Sequence, residues 1–289
     1  MSTDKNVATD LDGFILTRQW LESKAGLELV FWLATEKGPL RLRVSGQEAV
    51  CFFPTSQRDQ AEDALARQGH WRINSTQLKN FDHEAVSALY FKSWRGLLEG
   101  RDKLSTRNIN VVESDIKPTD RFLMERFITA SAKVSGRLVS QRGFSDVMAD
   151  KLVGCEFRPR LSAVSIDIET DYGASELYSI AIYSDKDSVV FMLGSSVSSI
   201  DPGAEENLEL RIYPTEREVI NAFAERIQII DPDVIMGWNV VNFDLRCLQN
   251  FCDRLKISLN IGRNREAIGW RKAREGTDRF YALVPGRAV

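Results

Sequence analysis

The stretch VSIDIET, residues 164–170, decides the fold of the second half of the chain. Apolar residues alternate there with Ser165, Asp167 and Glu169, and strict alternation over this length predicts a β-strand. Successive side chains of a strand point to opposite faces, so the two acids share one face, about 7 Å apart along the strand. A central strand of an α/β sheet is buried on both faces. Two acids there raise the free energy of the folded state unless a cation binds them. On these residues alone, the simpler alternative is favoured: an edge strand or strand end with both acids in solvent.

The elements around this stretch predict a mixed sheet of the ribonuclease H kind. A strand at 162–169 is followed by a hairpin of two apolar strands around the turn 185–187. Thr215 and Glu218 form a T-x-x-E capping box that starts a helix, and a buried strand at 233–239 leads into one more helix. Three strands, a crossover helix and a further strand are the ribonuclease H order.

The first half predicts an α+β domain. Residues 12–20 and 27–34 indicate a hairpin, and the segment 49–113 has the order β-α-β-β-α-β of a ferredoxin-like unit, with its last strand at 109–113. In the next segment, Thr119 is predicted to cap a helix whose apolar face includes Phe127.

RNA-recognition domains use the same ferredoxin-like order, so base contact by aromatic side chains is an alternative for the first half. The stretch ALYFKSW lacks their aromatic pattern, which favours core or interface positions for Tyr90, Phe91 and Trp94. Residues 130–160 have the composition of an interdomain connection. The predicted class is α/β, with an α+β domain at 1–158 and a ribonuclease H-like domain at 159–289.

Charge is unevenly distributed along the chain. The net charge is −3 overall, but residues 159–253 carry 6 basic and 17 acidic side chains, whereas residues 254–289 carry 9 basic and 3 acidic ones. The net charge of −11 on residues 159–253 would repel a polyanion unless cations neutralise it. The four cysteines form no C-x-x-C pair and are interpreted as buried free thiols, which argues against zinc. A polar start and the lack of any long apolar run predict a cytoplasmic protein with no membrane partner.

A second motif supplies a third carboxylate. GWNVVNFD, residues 237–244, carries the buried strand into a helix and puts Asp244 near the helix N-terminus, where it could simply act as a cap. If that strand lies beside the first one, Asp244 projects towards Asp167 and Glu169. Three converging acids without histidine or cysteine favour Mg²⁺ or Mn²⁺, and two such ions about 4 Å apart activate water for phosphodiester hydrolysis.

These motifs resemble those of a known family. D-I-E, followed about seventy residues later by N-x-x-x-F-D, is similar to the first two exonuclease motifs of family B DNA polymerases, which belong to the DEDD group of 3′-to-5′ exonucleases. GFILTRQW, FWLATEKGPL, RFLMERFIT and DPDVIMGWNVVNFDLR resemble the N-terminal part of the bacterial members. The resemblance covers nearly the whole chain and is weakest at 130–158 and 194–210.

The resemblance implies a role for each acid. Asp167 would bridge two metal ions, Glu169 would hold one ion and orient the attacking water, and Asp244 would bind the second ion. The reaction would remove a mismatched 3′ nucleotide during proofreading.

It also implies substrate contacts and partners. Thr170, Asn239 and Phe243 would contact the primer end. The DNA would be a single-stranded 3′ end or a primer–template, and the parent enzyme would add a polymerase domain and a sliding clamp.

One departure from the family limits the expected activity. The third exonuclease motif, Y-x-x-x-D, would supply a fourth carboxylate, but Tyr281 is followed four positions later by Pro285. The sequence is therefore interpreted as a fragment of a longer polymerase with little or no exonuclease activity of its own.

Two alternatives stay open. A stand-alone ribonuclease H-like nuclease could take its missing carboxylate from Glu266, Glu275 or Asp278. A catalytically silent DNA-binding module would instead use basic residues near the end of the chain, unless these only form a solvated face: Arg263, Arg265, Arg271, Lys272 and Arg274.

Overall fold

The protein is described by a computed structural model that covers residues 7–141, 143–195, 208–273, 276 and 278–289. Two compact units make up the chain: Met1–Phe31 with Leu40–Arg158, and Trp32–Pro39 with Pro159–Val289. The expected mixed α/β class is confirmed.

The chain begins with strands of a closed five-stranded β-barrel. Its second strand is buried on nearly every residue, as the apolar run LELVFWLA predicts. Residues 130–160, expected to be a connection, instead supply two barrel strands, and that prediction was wrong. Polar residues are frequent there because barrel strands turn alternate side chains outward, while Ala132, Val134 and Val147 lie in the core. In spatial order the strands are β1 (Val7–Ser23), β2 (Gly26–Thr35), β3 (Gly38–Gln47), β8 (Ser145–Gly154) and β7 (Ser131–Ser140).

The ferredoxin-like unit follows β3 along the chain. Its predicted last strand is reduced to one antiparallel bridge between Val112 and Phe52, which completes the expected spatial order of a ferredoxin-like sheet. The Ser93 hydroxyl caps the second helix by accepting the Gly96 N–H at 2.9 Å. The elements are β4 (Ala49–Pro54), α1 (Arg58–Leu65), β5 (Trp71–Lys79), β6 (Ala85–Phe91) and α2 (Trp94–Ser105), with the strands ordered β4-β6-β5.

Of the three aromatic residues of ALYFKSW, Phe91 lies in the core as predicted, whereas Tyr90 and Trp94 are half-buried. Phe91 is buried against α2, the guanidinium of Arg72 lies 3.8 Å from the centre of the Tyr90 ring, and Trp94 packs edge-on against Trp20.

Two details of the next helix, α3 (Pro118–Met124), were predicted wrongly. Its N-cap is Lys117, and Thr119 lies inside the first turn and is buried, because Pro118 already fixes the first helical position. The helix ends before Phe127, which has a positive φ of 52° and a 91% exposed side chain.

The second unit is built on a five-stranded mixed sheet. Its strands in spatial order are β12 (Glu209–Tyr213), β11 (Asp187–Leu193), β10 (Leu177–Ser184), β9 (Ala163–Thr170) and β13 (Val234–Met236). β9 pairs antiparallel with β10 and parallel with β13, as the ribonuclease H order requires. The prediction missed β12, a short edge strand with no fully buried residue, which pairs parallel with β11.

Two helices pack on this sheet, α4 (Glu216–Ile230) and α5 (Asp244–Leu255). The predicted capping box is confirmed: the Thr215 hydroxyl accepts the Glu218 N–H at 3.3 Å and donates to the Glu218 carboxylate at 2.8 Å. The predicted apolar face of α4 is buried as expected. A hairpin of β14 (Gly269–Lys272) and β15 (Phe280–Leu283) follows.

The four cysteines are free thiols. Cys51 and Cys252 are buried, and burial raises the pKa of each to about 12. Cys155 and Cys247 are only half-buried, so the expectation of buried thiols was wrong for these two. Within the described part of the chain, the helices are all too short or too polar to cross a bilayer.

Candidate metal centre

The candidate site lies where β13 stops alongside β9. β13 has three residues, and its last one, Met236, pairs with Ser165. The following part of β9, which carries the D-I-E motif, therefore has no neighbouring strand on that side among the described residues. Its backbone N–H groups there need another acceptor.

The turn after β13 brings Asp244 to this edge. A Cβ added at Gly237 would lie 2.6 Å from the Ile166 carbonyl oxygen, so the chain packs here directly on β9. Asn239 takes a left-handed conformation with φ 55°, which asparagine tolerates better than most residues, and its carbonyl accepts the Phe243 N–H at 3.0 Å. α5 then starts at Asp244.

The carboxylate of Asp244 is buried, and its side chain is only 1% exposed. Its Oδ1 accepts the N–H of Ile168, the residue between the two acids of D-I-E, at 3.1 Å. Its Oδ2 has no hydrogen-bond partner within the described residues. Phe243 occupies the N-cap of α5, and no side chain caps that helix, so a simple capping role for Asp244 is not supported.

Burial and the nearby charge of Asp167 raise the pKa of Asp244 from 3.8 to about 6. Burial contributes most because it disfavours the ionised form. Hydrogen bonds from the backbone, including the Ile168 N–H, lower the pKa and offset part of this effect. A buried oxygen without a donor, close to a second carboxylate, is a position where a bound cation would be strongly favoured.

The two acids of D-I-E lie on the outward face of β9. Asp167 and Glu169 are exposed, while Val164, Ile166 and Ile168 are buried on the other face, as the alternation predicted. The described residues contain no group of three acidic, histidine or cysteine side chains arranged to hold a metal. Asp167 is near enough for its charge to act on the Asp244 carboxyl, and Glu169 lies two residues further along β9 on the same face as Asp167.

The expected substrate-contact residues surround this edge. Thr170 is half-buried and donates its hydroxyl to the Asp171 carbonyl at 3.0 Å. Asn239 is exposed, and Phe243 keeps 42% of its surface in solvent. Trp238 is 93% exposed on the same turn and had no predicted role, although G-W-N is part of the motif.

Among the described residues, Glu266 and Asp278 belong to no group of three metal-ligating side chains, and the same is true of Asp167, Glu169 and Asp244. Glu275 lies outside the described residues.

The basic residues near the end of the chain differ in their burial and in their partners. Arg263 is buried and paired with Asp231 and Asp233, and Arg265 pairs with Glu225. The guanidinium of Arg271 lies 4.6 Å from the centre of the Tyr281 ring. Lys272 is exposed, and Arg274 lies outside the described residues.

Three family models match the chain in sequence order. The N-terminal model of DNA polymerase II matches residues 13–48, and the insertion-domain model of DNA polymerase II matches residues 49–109, which span the ferredoxin-like unit. The exonuclease-domain model of DNA polymerase family B matches residues 109–282, more than half of the chain. This chain belongs to DNA polymerase family B. The resemblance stated from the sequence motifs is therefore confirmed.

Individual family B polymerases agree with this assignment. DNA polymerase II of Escherichia coli is 36% identical over 280 residues, which are 96% of this chain and 34% of the E. coli protein. A Thermococcus kodakarensis DNA polymerase is 29% identical over 141 residues, 47% of this chain and 8% of its own length. The structure of the family B polymerase from Pyrobaculum calidifontis matches with a TM-score of 0.74 at 18% identity, covering 96% of this chain and 36% of that one. The chain thus spans about one third of the E. coli relative.

The donor set at the site suits a hard divalent cation. Its atoms are carboxylate oxygens, and Mg²⁺ and Mn²⁺ prefer oxygen ligands. Asp244 presents the unpartnered oxygen, and Asp167 adds a second carboxylate close by. The residues present therefore fit the metal dependence that is general for family B exonuclease domains.

Proposed function

We propose that this chain supplies the N-terminal and 3′-to-5′ exonuclease parts of a DNA-directed DNA polymerase that proofreads its product. Asp167, Glu169 and Asp244 would hold Mg²⁺ or Mn²⁺ at the 3′-terminal phosphodiester. The observation that carries the proposal is the buried Oδ2 of Asp244, which has no hydrogen-bond donor within the described residues and belongs to a carboxylate that feels the charge of Asp167.

Each acid contributes differently to the proposed hydrolysis. The Ile168 N–H fixes one oxygen of Asp244 and leaves the other for a cation, and at pH 7–8 the carboxyl is mostly ionised because its pKa is about 6. Glu169 is exposed, so its side chain can turn towards Asp167 and orient a water. Bound ions would lower the pKa of that water and stabilise charge on the leaving oxygen.

The substrate is proposed to be the single-stranded 3′ end of a primer–template. Phe243 offers an exposed ring surface for the terminal nucleotide, and Asn239 offers an exposed amide, while Thr170 lies at the end of β9. A polymerase domain and a sliding clamp are the proposed partners in the complete enzyme. Membership of family B supports these proposals.

A chimera tests the proposed function in its natural setting. Residues 1–289 replace the aligned segment of E. coli DNA polymerase II, and both primer extension and release of a mismatched 3′ nucleotide are measured. We expect the chimera to show both activities, and Asp167→Ala in it to abolish nucleotide release with extension retained. A chimera that extends primers normally but never removes a mismatch would contradict the proposal.

The isolated 289-residue chain is expected to be almost inactive on single-stranded DNA. Residues after Asp244 contain no Y-x-x-x-D, so one carboxylate and one tyrosine of the family site are missing from this sequence. Rapid Mg²⁺-dependent degradation by the isolated chain, lost in Asp167→Ala, would refute this expectation and favour a stand-alone nuclease. Glu266→Gln and Asp278→Asn would then test for a substitute ligand.

A further inference from the structure

The end of helix α3 has an aromatic residue in a left-handed backbone position. The Ile128 N–H donates to the Leu123 carbonyl at 3.0 Å, and the Phe127 N–H donates to the Met124 carbonyl at 3.1 Å. These two bonds form a Schellman motif, in which the left-handed residue is most often glycine. Phe127 takes that position here, with φ 52°. Because its Cβ crowds the backbone in this conformation, phenylalanine is less favourable there than glycine.

The side chain of Phe127 does not offset this strain by packing within the described part of the chain. It is 91% exposed, and Met124, three residues earlier, is 59% exposed. The apolar contact that commonly accompanies the motif involves Ile128 and Leu123, which are both buried. The described fold therefore gains little from the Phe127 ring. A strained residue that carries an exposed aromatic ring is expected where the ring contacts another surface.

The apolar surface of Met124 and Phe127, called the α3 patch below, has paired charges beside it.

Arg121 lies 2.5 Å from Glu113 and 3.8 Å from Glu125, and Arg126 lies 3.8 Å from Glu125. DNA is bound through its phosphates by basic side chains that are free to neutralise them. The arginines beside the α3 patch are already neutralised by carboxylates. An apolar protein surface therefore suits the α3 patch better than a nucleic acid does.

The small size of the α3 patch argues against a partner that binds from solution. Two side chains bury at most about 500 Å², because even a large aromatic side chain buries only about 150–250 Å². A stable interface between free proteins needs roughly 800 Å² on each partner. A second copy of the chain would therefore bind weakly through this patch. A covalently linked domain needs less contact area, because linkage raises its effective concentration to about millimolar values.

We propose that the α3 patch docks on an apolar surface of the polymerase region in the complete enzyme. This inference rests on the proposed function, in which the chain is one part of a DNA polymerase. A covalently linked partner agrees with the comparison with E. coli DNA polymerase II, since the present chain spans only 34% of that protein. The ring of Phe127 would pack between apolar side chains of the polymerase region and would hold its own unit against that region.

Photo-crosslinking identifies the surface that covers the α3 patch. The photoreactive residue p-benzoylphenylalanine replaces Phe127 in the chimera of residues 1–289 with the polymerase region of E. coli DNA polymerase II, and crosslinked peptides are mapped by mass spectrometry. We expect a crosslink within one molecule to a peptide of the polymerase region. Crosslinks that join two molecules, crosslinks that stay within residues 1–289, or a lack of any crosslink would overturn the inference.

The matched control places the same photoreactive residue at Phe81. Phe81 is fully exposed in the turn between β5 and β6, so its ring is as accessible as that of Phe127. The control should give no crosslink to the polymerase peptide that position 127 labels. Equal labelling of that peptide from both positions would show a non-specific reaction and would count against docking.

Stability measurements provide a second test, in which one substitution has opposite effects in two proteins. In the isolated 289-residue chain, Phe127→Gly relieves the left-handed strain, and the Tm should rise by about 2 °C. In the chimera the same substitution removes a docked ring, and the Tm should fall by at least about 2 °C. The control His83→Gly, at an exposed residue with φ 62°, should raise the Tm in both proteins. A change of the same sign in both proteins for Phe127→Gly would contradict docking.

Primer extension separates this inference from the proposed function. If the chimera extends primers and removes mismatches but position 127 gives no crosslink to the polymerase region, docking is overturned while the proposed function stands. If the chimera neither extends primers nor removes mismatches, the proposed function fails and the docking inference fails with it.

Discussion

Replacing Asp244 with asparagine tests the electrostatics of the candidate site directly. The variant keeps an oxygen that can accept the Ile168 N–H and removes the charge from a side chain that is 1% exposed. We expect Asp244→Asn to be more stable than the wild type at neutral pH when divalent ions are absent. The reason is that burial and the charge of Asp167 both oppose ionisation of Asp244.

The magnitude follows from the pKa shift. The pKa of Asp244 is about 6 in the folded chain and 3.8 when unperturbed. Between these values the folded state binds more protons than the unfolded state, so the free energy of unfolding decreases as pH rises. The stabilisation of the folded state by the protonated Asp244 carboxyl is complete below pH 3.8 and is lost as pH rises through about 6. A shift of roughly two units corresponds to about 3 kcal/mol as an upper limit.

Urea denaturation at several pH values between 4 and 8, in EDTA, measures this effect. The difference in unfolding free energy between Asp244→Asn and the wild type should grow from pH 4 to about pH 6 and level off towards pH 8, because the folded and unfolded states differ in bound protons only between the two pKa values. Adding Mg²⁺ should then stabilise the wild type more than the variant, because only the wild type presents the charged oxygen. A stability difference that is independent of pH would refute the reasoning.

Two substitutions away from the site test the packing of each unit by urea denaturation. Gly100→Ala puts a Cβ 2.4 Å from the Phe91 ring and should cost about 1–3 kcal/mol, whereas Gly69→Ala, with nothing within 4 Å, should be close to neutral; equal effects would contradict the packing. Arg287→Met removes a fully buried guanidinium that donates to two carbonyls and a carboxylate, and should cost about 3 kcal/mol. Arg271→Met, on an exposed strand, should cost less than about 0.5 kcal/mol, and a similar loss in both arginine variants would argue against the buried network.

Much of the second unit could be predicted because local patterns and tertiary structure agree there. The alternation around Asp167 matches the buried and exposed faces of β9, and the box formed by Thr215 and Glu218 starts α4 as expected. Such agreement between local preference and global packing is typical of sequences that specify one fold. The two exonuclease motifs also predicted the family, because their order and spacing together carry more information than either motif alone.

Other features depended on contacts that a single sequence does not reveal. The polar composition of 130–160 hid two barrel strands, since their inward side chains are small and sparse. Thr119 matched a capping residue, but Pro118 had already fixed the start of that helix. Arg263 resembled a surface cation, yet it is buried because Asp231 and Asp233 neutralise it.

The site itself was predictable in part. Proximity of Asp167 and Asp244 followed from the parallel pairing of β13 with β9, which the element order indicated. The short length of β13, which leaves the Ile168 N–H for Asp244, follows from the turn at Gly237 and not from any motif.

Binding of Mn²⁺ tests the central claim, that these carboxylates form a divalent-cation site, most directly. Free Mn²⁺ is titrated by electron paramagnetic resonance against the 289-residue chain and against Asp167→Asn, Asp244→Asn and the control Asp253→Asn, an exposed acid near the other end of α5. We predict saturable binding by the wild type and the control, weakened at least about tenfold in each of the two site variants. Binding that is equally tight in all four proteins would contradict the account.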